Sequence, residues 1–446
     1  MKQTLRYSVW TLLIGGLVLA GCTQRQDAED RADDDRARPE ANGPAAPDDD
    51  ATNGQAPKPD GNGMAPDNGA PAATDDEPAN DAAQKLDAAH QAQARALIDD
   101  GIRFVMNQRG EDGGWSIGGQ ERSATTALVL KCLLQHADYD VDDPVIRKGF
   151  DVLLRYQQAD GGIFDPEVGH ANYSTSIAVM ALAAADAPRY KEPLQRAVTF
   201  LRGLVITHGQ KDEEGRTVDA DHPMRGGVSY GHHGRPDLSN VGMWMEAMHQ
   251  AGVQGADPDM QKVLSFVTRT QNLTEKNDRP WALAGPNDGG FVYAPAVRKD
   301  LAQGESKAGN VPGSRRGLRS YGSMTYTGFK SLLYADVPRT DPRVQAALDW
   351  IRRYWRLDAN PNMPQARSQQ GLYYYYHVFA KALSAWGRPV IRADGQDHNW
   401  RHELIDALAQ RVNEDGSWQN AADRWFESNK TLATCYAVLA LQQALK

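Results

Sequence analysis

The chain has 446 residues, of which 49 are Lys or Arg and 58 are Asp or Glu, so its formal net charge is −9. The acidic excess falls before residue 90, and the rest of the sequence is close to neutral. A near-neutral domain without a basic patch is a poor binder of polyanions, so we expect no nucleic-acid partner.

The amino terminus has the pattern of an export signal. Lys2 and Arg6 precede an apolar run over residues 9–19, which is too short to span a bilayer as a mature helix. The letters LAGC then resemble a bacterial lipobox, which predicts a lipoprotein signal peptide over residues 1–22 and a lipid anchor at Cys22. An uncleaved signal anchor is the alternative. Because Thr23 is not acidic, we expect an exported protein of the bacterial cell envelope, lipid-anchored on the periplasmic side or at the outer membrane.

Residues 23–90 are rich in Asp, Ala, Pro and Gly and contain almost no branched or aromatic side chains. A segment of this composition cannot bury enough apolar surface to fold, so it is predicted to be a disordered acidic linker. A flexible chain of roughly 60 residues has a root-mean-square reach of about 45 Å. The linker would hold a folded domain clear of a membrane surface.

Residues 91–446 repeat one pattern, in which an apolar helical segment leads to a glycine-rich turn and a second helix. The clearest copies are FVMNQRGEDGGWSIGGQERSATTALVLKCLL and LLRYQQADGGIFDPEVGHANYSTSIAVMALAAA. The final copy combines LAQRVNEDGSWQN with SNKTLATCYAVLALQQAL, and six such hairpins can be counted.

The turns and helices of this repeat predict a closed ring. Glycines permit the positive φ that a chain reversal needs, and the aromatic residues Trp115, Phe291 and Trp418 would fill the space between hairpins. Second helices are apolar nearly all round and should be enclosed, whereas first helices carry more charge. The prediction is an all-α fold, a single (α/α)6 toroid. Cys132 and Cys435 would be small core residues or form one disulfide in an oxidising compartment.

The turn sequences QRGEDGGW and QQADGGIF resemble the QW motif of squalene-hopene cyclases and the repeat of protein prenyltransferase β subunits. This resemblance covers the whole folded part and implies a terpene cyclase/mutase-like toroid. The same toroid carries many chemistries, so the fold does not decide the activity.

Triterpene cyclases have an Asp-x-Asp-Asp motif at the start of an inner helix, whose middle acid protonates an alkene. The matching run here keeps Asp237 but has Ser239 and Asn240 in place of the other two acids. A serine hydroxyl is too weak an acid for this step, so the resemblance implies the shape and not the proton donor. We expect this polar group to cap its helix, and a ligand contact at the pocket mouth is compatible with that role.

Prenyltransferase β subunits bind zinc through Asp-x-Cys and a His before TCY. In this sequence the corresponding positions hold Ser323 and Thr325, or Tyr374 and Tyr376, and Ala433 precedes TCY. No zinc site carries over, and we expect no metal and no other cofactor.

Helical geometry selects a second set of inner residues. Positions seven apart are two turns apart on one face, so Ser239 lies over Glu246, Ser323 over Lys330, and Tyr374 over Lys381. In the other hairpins the deep positions would be apolar, and they are Leu130, Met180 and Leu439. One half of a central channel would then be charged and the other half apolar.

Two interpretations of the charged half remain open. Glu246 and Lys330 can form an ion pair that fixes two neighbouring inner helices, because isolated buried charges are costly. Alternatively, Glu246, Lys330 and Lys381 form a polar cluster in a binding pocket, where burial perturbs their pKa values.

The stretch GLYYYYHVF points side chains all round a helix start, so Tyr374 and His377, three residues apart, are the candidates to reach the pocket. A hydrogen-bonded structural histidine is the alternative for His377. His232 and His233 are predicted to be loop residues near the mouth. The polar segment over residues 298–318 would be a lid or a solvated insertion.

The leading hypothesis is a lipid-anchored monomer that binds an amphipathic isoprenoid, lipid or glycan-like molecule in its channel, with catalysis left open. The candidate catalytic residues are Asp237, Glu246, Lys330, Tyr374 and His377, and the candidate ligand-binding residues are Ser239, Asn240, Ser323 and Lys381. The alternatives are a non-catalytic scaffold that binds an envelope protein, or a carbohydrate-active toroid enzyme.

Overall fold

The computed structural model describes residues 85–446 except His233. The predicted signal peptide, the lipid anchor Cys22 and the linker as far as residue 84 lie outside the described residues. In the part that is described, no helix is both long and apolar enough to cross a bilayer.

The chain alternates outer and inner helices. The outer helices are α1 (Ala88–Asn107), α3 (Pro144–Leu154), α5 (Lys191–Gly203), α7 (Pro258–Thr268), α10 (Pro342–Arg353) and α12 (Trp400–Ala409). The inner helices are α2 (Arg122–Leu134), α4 (Ala171–Ala185), α6 (Leu238–Gln250), α9 (Gly322–Tyr334), α11 (Leu372–Trp386) and α13 (Lys430–Ala444). A short helix α8 (Pro280–Leu283) and an antiparallel hairpin of β1 (Val390–Ala393) and β2 (Gln396–Asn399) lie in the connections. Helix α1 begins inside the segment that the sequence analysis assigned to the linker.

The inner helices form a closed ring. Each packs against the next in chain order, and α13 packs against α2 to complete the circle. The predicted all-α (α/α)6 toroid is therefore confirmed. At the closure, the Cys132 thiol lies 3.7 Å from the Cys435 carbonyl oxygen, and both cysteines are buried free thiols.

The two kinds of helix differ in their burial as the sequence predicts. In α10 the buried residues Val344, Ala347, Leu348 and Ile351 follow the three- and four-residue spacing of one helical face. In α13 nearly every residue is buried, because the helix is enclosed by the outer ring and by its inner neighbours. Outer helices often begin with Asp-Pro, as at Asp341, whose carboxylate accepts the Arg343 amide hydrogen.

A recurring contact fixes each glycine turn to its inner helix. The backbone amides of Trp115 and Trp418 each donate to a threonine hydroxyl, on Thr126 and Thr434 respectively, at 3.0 Å. Both indole rings are buried and donate to a carbonyl of the preceding outer helix. Gly289 shows why glycine is needed in these turns, since its φ is +79° and an added Cβ would lie 2.3 Å from the Ala346 carbonyl oxygen.

We predict that Thr434→Val destabilises the fold by about 1–3 kcal/mol, because the buried Trp418 amide would lose its acceptor. Chemical denaturation followed by circular dichroism measures the change in the free energy of unfolding. Thr199→Val is the matched control, since Thr199 is exposed on outer helix α5. Equal effects of the two substitutions would contradict the proposed role of the threonine contact.

Candidate functional site

A buried carboxylate lies on the inner side of the ring, surrounded by lysines from three other inner helices. The Glu246 side chain on α6 is fully buried, and its Oε2 is 2.5 Å from Lys330 Nζ on α9. Its Oε1 is 3.4 Å from both Lys131 Nζ on α2 and Lys381 Nζ on α11. We call these four residues the glutamate–lysine cluster. The structure thus brings together Glu246, Lys330 and Lys381, as the helical spacing suggested.

Lys131 is the member of the cluster that the sequence analysis missed. The seven-residue spacing selected Leu130, but a Cβ added at Gly149 of outer helix α3 would lie 2.7 Å from the Leu130 side chain, so Leu130 faces outward. Lys131 faces inward, with its Nζ 3.2 Å from Met180 Sδ. The expectation that this half of the channel is entirely apolar is therefore wrong. The signal in the sequence that could have indicated Lys131 is that it is a single lysine within the apolar stretch TTALVLKCLL.

Burial and the neighbouring charges shift the pKa values of residues in the cluster. Burial alone would raise the pKa of Glu246, but the three surrounding lysines hold that pKa well below its ordinary value. Gln250 Nε2 donates a further hydrogen bond to Oε1 at 2.8 Å. Burial and the neighbouring Lys381 lower the pKa of Lys131 to about 7, and burial also lowers the pKa of Lys330. Near neutral pH the cluster therefore holds one carboxylate anion and a partly protonated Lys131 beside its other lysines.

Two members of the cluster, Lys131 and Lys381, line the floor of a cavity of about 540 Å³ at the carboxyl ends of the inner helices, and Lys446 lines its edge. One wall is aromatic, because the His249 and Tyr334 rings stack with centroids 4.0 Å apart. We call this space the lysine cavity. It combines cationic groups with an apolar wall.

At the amino ends of the inner helices, Asp237 caps α6 as expected. Its Oδ1 accepts the Asn240 backbone amide hydrogen and its Oδ2 accepts the Asn240 side-chain amide, both at 2.9 Å. Asn172 Nδ2 on α4 donates to Asn240 Oδ1 at 3.2 Å, which joins two inner helices. Burial raises the pKa of the Asp237 carboxyl, although the hydrogen bonds from Asn240 oppose this shift. Asp237 and Asn240 are thus held by structural contacts, while Ser239 beside them is half-buried.

Tyrosine hydroxyls gather between this end and the cluster. Tyr374 is half-buried and its hydroxyl lies 3.4 Å from Thr327 Oγ1, whereas the hydroxyls of Tyr173 and Tyr436 are 3.0 Å apart. His377 lies next to Tyr436, with ring centroids 5.5 Å apart. Burial lowers the pKa of His377 well below its ordinary value, so its imidazole is neutral.

Ser323 is engaged by Asn360, which accepts the Ser323 amide hydrogen at 3.0 Å and donates to its hydroxyl at 3.3 Å. These bonds hold the start of α9 to the connection before α11. Ser323 therefore has a structural partner at the position where a ligand contact was predicted.

The remaining predicted loop features lie in the connections that precede α6 and α9. His232 is exposed, 3.8 Å from Asp160, and His233 is outside the described residues. The segment over residues 298–318 is anchored at Glu305, which exchanges backbone hydrogen bonds with Ala294 and pairs with Arg235. It packs on the connection that leads into α6.

No family model and no curated protein matches this sequence. Among solved structures, the chain is similar to an inactive variant of the α-1,6-mannanase GH76A of Salegentibacter sp. HEL1_6 in complex with α-1,6-mannotriose, with TM-score 0.51 and 9% identity over 78% of this chain and 99% of that chain. It is also similar to the type II terpene cyclase MstE from Scytonema, with TM-score 0.45 and 14% identity over 81% and 99% of the two chains. A protein from Actinoplanes matches with TM-score 0.46 and 16% identity over 79% and 100% of the chains. At 9% identity, the similarity to the mannanase shows the fold alone.

We predict that Glu246→Gln destabilises the protein by about 3–5 kcal/mol at neutral pH, because it removes the carboxylate that three buried lysines contact. Chemical denaturation gives the free energy of unfolding. Glu192→Gln on outer helix α5 is the control, since Glu192 is exposed and its ion pair with Arg196, at 3.7 Å, lies on the surface. A Glu246→Gln protein as stable as the control would show that the cluster does not hold the ring together.

The lowered pKa of Lys131 in the folded protein makes the free energy of unfolding depend on pH. An unfolded chain, with Lys131 at its ordinary pKa of 10.5, binds more protons than the folded chain, where that pKa is about 7. Stability therefore rises with pH between these values. We expect the wild type to gain stability relative to Lys131→Met as the pH increases from about 7 to about 10. A difference independent of pH in parallel denaturation series would contradict the shifted pKa.

Proposed function

We propose that this protein is a binding toroid whose lysine cavity takes the anionic head of a small amphipathic molecule, a carboxylate or a phosphate. The observation that carries the proposal is the excess of lysines around Glu246. Three lysines converge on this one carboxylate, and two of them, Lys131 and Lys381, line the cavity. The sequence predicted an amphipathic ligand, and the lysines favour a negatively charged head group on it.

The distances indicate which lysines would meet a ligand. Glu246 makes its shortest ion pair with Lys330, at 2.5 Å, and this lysine belongs to the buried part of the cluster. Lys131 and Lys381 are farther from the carboxylate, at 3.4 Å, and both line the cavity. An anion on the cavity side could accept charge-assisted hydrogen bonds from both ammonium groups.

The lysines also offset the partial negative charge at the carboxyl ends of the inner helices. That charge is about half an elementary charge per helix and acts mainly within the last turn. This negative charge is distributed around the edge of the ring, where Lys446 lies, whereas Lys131 and Lys381 converge at the floor of the cavity. The charge of the helix ends therefore accounts for Lys446 at the edge better than it accounts for the convergence of Lys131 and Lys381 at the floor.

The size and walls of the cavity fit an amphipathic ligand. Its volume of about 540 Å³ lies within the usual range for small-molecule sites. Leu134, Leu333 and the stacked pair of His249 and Tyr334 provide apolar contact area. An anionic head on the lysines with an apolar tail along this wall uses both surfaces.

The two acids suggested for catalysis do not form a pair. Asp237 and Glu246 are separated along α6 by about 13 Å, beyond the spacing of about 5–9.5 Å between the carboxyl groups of most glycosidases. Glu246 is moreover occupied by lysines. We therefore propose binding in preference to glycoside hydrolysis by these acids.

A second candidate function, binding of another envelope protein at the edge of the ring, is supported by one surface feature. Trp425 and Phe426 are 39% and 54% exposed, and both adopt positive φ. Trp425 lies beside Gly371 at the start of α11, at the end of the ring opposite the lysine cavity. Strained exposed aromatic residues are a feature of recognition sites.

We test the first proposal with ligands that differ only in their head group. Isothermal titration calorimetry should detect binding of dodecyl phosphate and dodecanoate by the full chain, but not of dodecyltrimethylammonium or a dodecyl maltoside, because only the anions pair with Lys131 and Lys381. Lys131→Met and Lys381→Met should each weaken anion binding about tenfold or more, since each removes a charged hydrogen bond. Lys262→Met, on the exposed face of outer helix α7, should leave the affinity unchanged.

The same titration has a predicted pH dependence. A bound anion favours protonated Lys131, whose pKa in the ligand-free protein is about 7. Affinity should therefore fall by up to about tenfold per pH unit above that value, and the Lys131→Met protein should lose this dependence. Equal affinity for anionic and neutral head groups would overturn the proposal.

A further inference from the structure

A second polar cluster lies on the outer side of the ring, where α1 begins. Asp87 and His90 at the start of α1 face His402 and Asp406 of α12. His90 Nδ1 is 2.8 Å and His402 Nε2 is 3.7 Å from the same atom, Asp87 Oδ2. Two imidazoles and a carboxylate thus converge from two helices that are far apart in sequence.

We propose that Asp87, His90 and His402 form a binding site for a divalent transition metal ion, with zinc as the best match. One ligand atom from each residue lies within 4.8 Å of the others. Tetrahedral zinc with bonds of about 2.0–2.1 Å places neighbouring ligand atoms about 3.3 Å apart. The observed separations of 2.8 and 3.7 Å lie on either side of this value. Metal binding would also rotate the two imidazoles out of their parallel stack, because each ring nitrogen ligates in the plane of its ring.

The hydrogen bonds of the cluster suit metal binding. His402 Nε2 is unprotonated, because it accepts the Asp87 backbone amide hydrogen at 3.3 Å, and metal binding would replace this hydrogen bond. His90 Nδ1 is the nitrogen nearest to Asp87, and its other nitrogen, Nε2, lies 3.5 Å from Asp406 Oδ2. A ligating histidine usually donates its second N–H to a carboxylate, which orients the ring and strengthens the ligand. Asp406 is placed to do this for His90.

The fold brings the two histidines together at a site that is open to solvent. The His90 and His402 rings stack with centroids 4.1 Å apart and planes 7° apart. Asp87 also caps α1, because its Oδ1 accepts the His90 amide hydrogen at 2.8 Å. Both histidine side chains are about three-quarters buried while Asp87 is exposed, so water can supply a fourth ligand. The imidazole-rich set favours zinc, nickel or copper over magnesium or calcium.

A metal at this position would tie the first helix of the toroid to the last outer helix. It would connect chain positions 87 and 402 and so stabilise the folded state by binding it in preference to the unfolded chain. This site is independent of the lysine cavity and contains none of its residues.

The test uses the full chain freed of metal by chelation and then titrated with zinc. Native mass spectrometry should show one zinc ion per chain and calorimetry a single saturable site, and cobalt should give the absorption of a tetrahedral complex. The thermal midpoint should rise by several degrees with zinc. His90→Ala and His402→Ala should abolish stoichiometric binding, and Asp406→Asn should weaken it about 10- to 100-fold.

His136→Ala is the matched control. His136 also pairs with an aspartate, Asp99, at 2.8 Å, but it does not belong to the metal-ligand cluster. This variant should bind zinc as the wild type does. Absence of stoichiometric zinc binding in the wild type, or its survival in both His90→Ala and His402→Ala, would overturn the proposal. Circular dichroism of the metal-free variants verifies that they are folded.

Discussion

Glu246 lies where four of the inner helices approach one another, and its carboxylate contacts lysines from the other three. In a low-dielectric interior each of these charges would be costly alone, and an ion pair repays the cost only when its geometry and hydrogen bonds are good. The short contact with Lys330 and the hydrogen bond from Gln250 meet this condition. The other two lysines, Lys131 and Lys381, lie farther from the same carboxylate, at 3.4 Å, and interact with it more weakly. The floor of the cavity therefore has positive charge that Glu246 does not fully neutralise.

The toroid makes such an arrangement possible because it encloses its inner helices almost completely. Apolar side chains fill the contacts between inner and outer helices, and the turns are fixed by threonine hydroxyls and buried indoles. The axis is therefore the place where a few polar side chains can be isolated from bulk water. Tyrosines and the capped start of α6 lie toward one end of it, and the lysine cavity opens at the other.

The fold could be predicted from the sequence because one turn pattern and two kinds of helix recur along the chain. Glu246, Lys330 and Lys381 could be placed together because seven-residue spacing from a helix start is reliable when the start is known. Lys131 could not, since the start of α2 in QERSATT does not define which of two adjacent residues faces inward. The cluster of Asp87, His90 and His402 could not be predicted from the sequence for another reason. Its parts lie at the edge of an apparent linker and more than 300 positions away, and only the closed ring brings them together.

The most direct test of this account is native mass spectrometry of the full chain purified from its own cell extract, beside the Lys131→Met and Lys381→Met proteins. The account predicts that an acidic small molecule co-purifies with the wild type and is lost from both variants while they remain folded. A wild type that carries no such molecule and shows no affinity for anionic amphiphiles would contradict it. The lysines would then serve only to neutralise Glu246 and the helix ends, and the exposed aromatic pair at the opposite edge would become the better candidate for function.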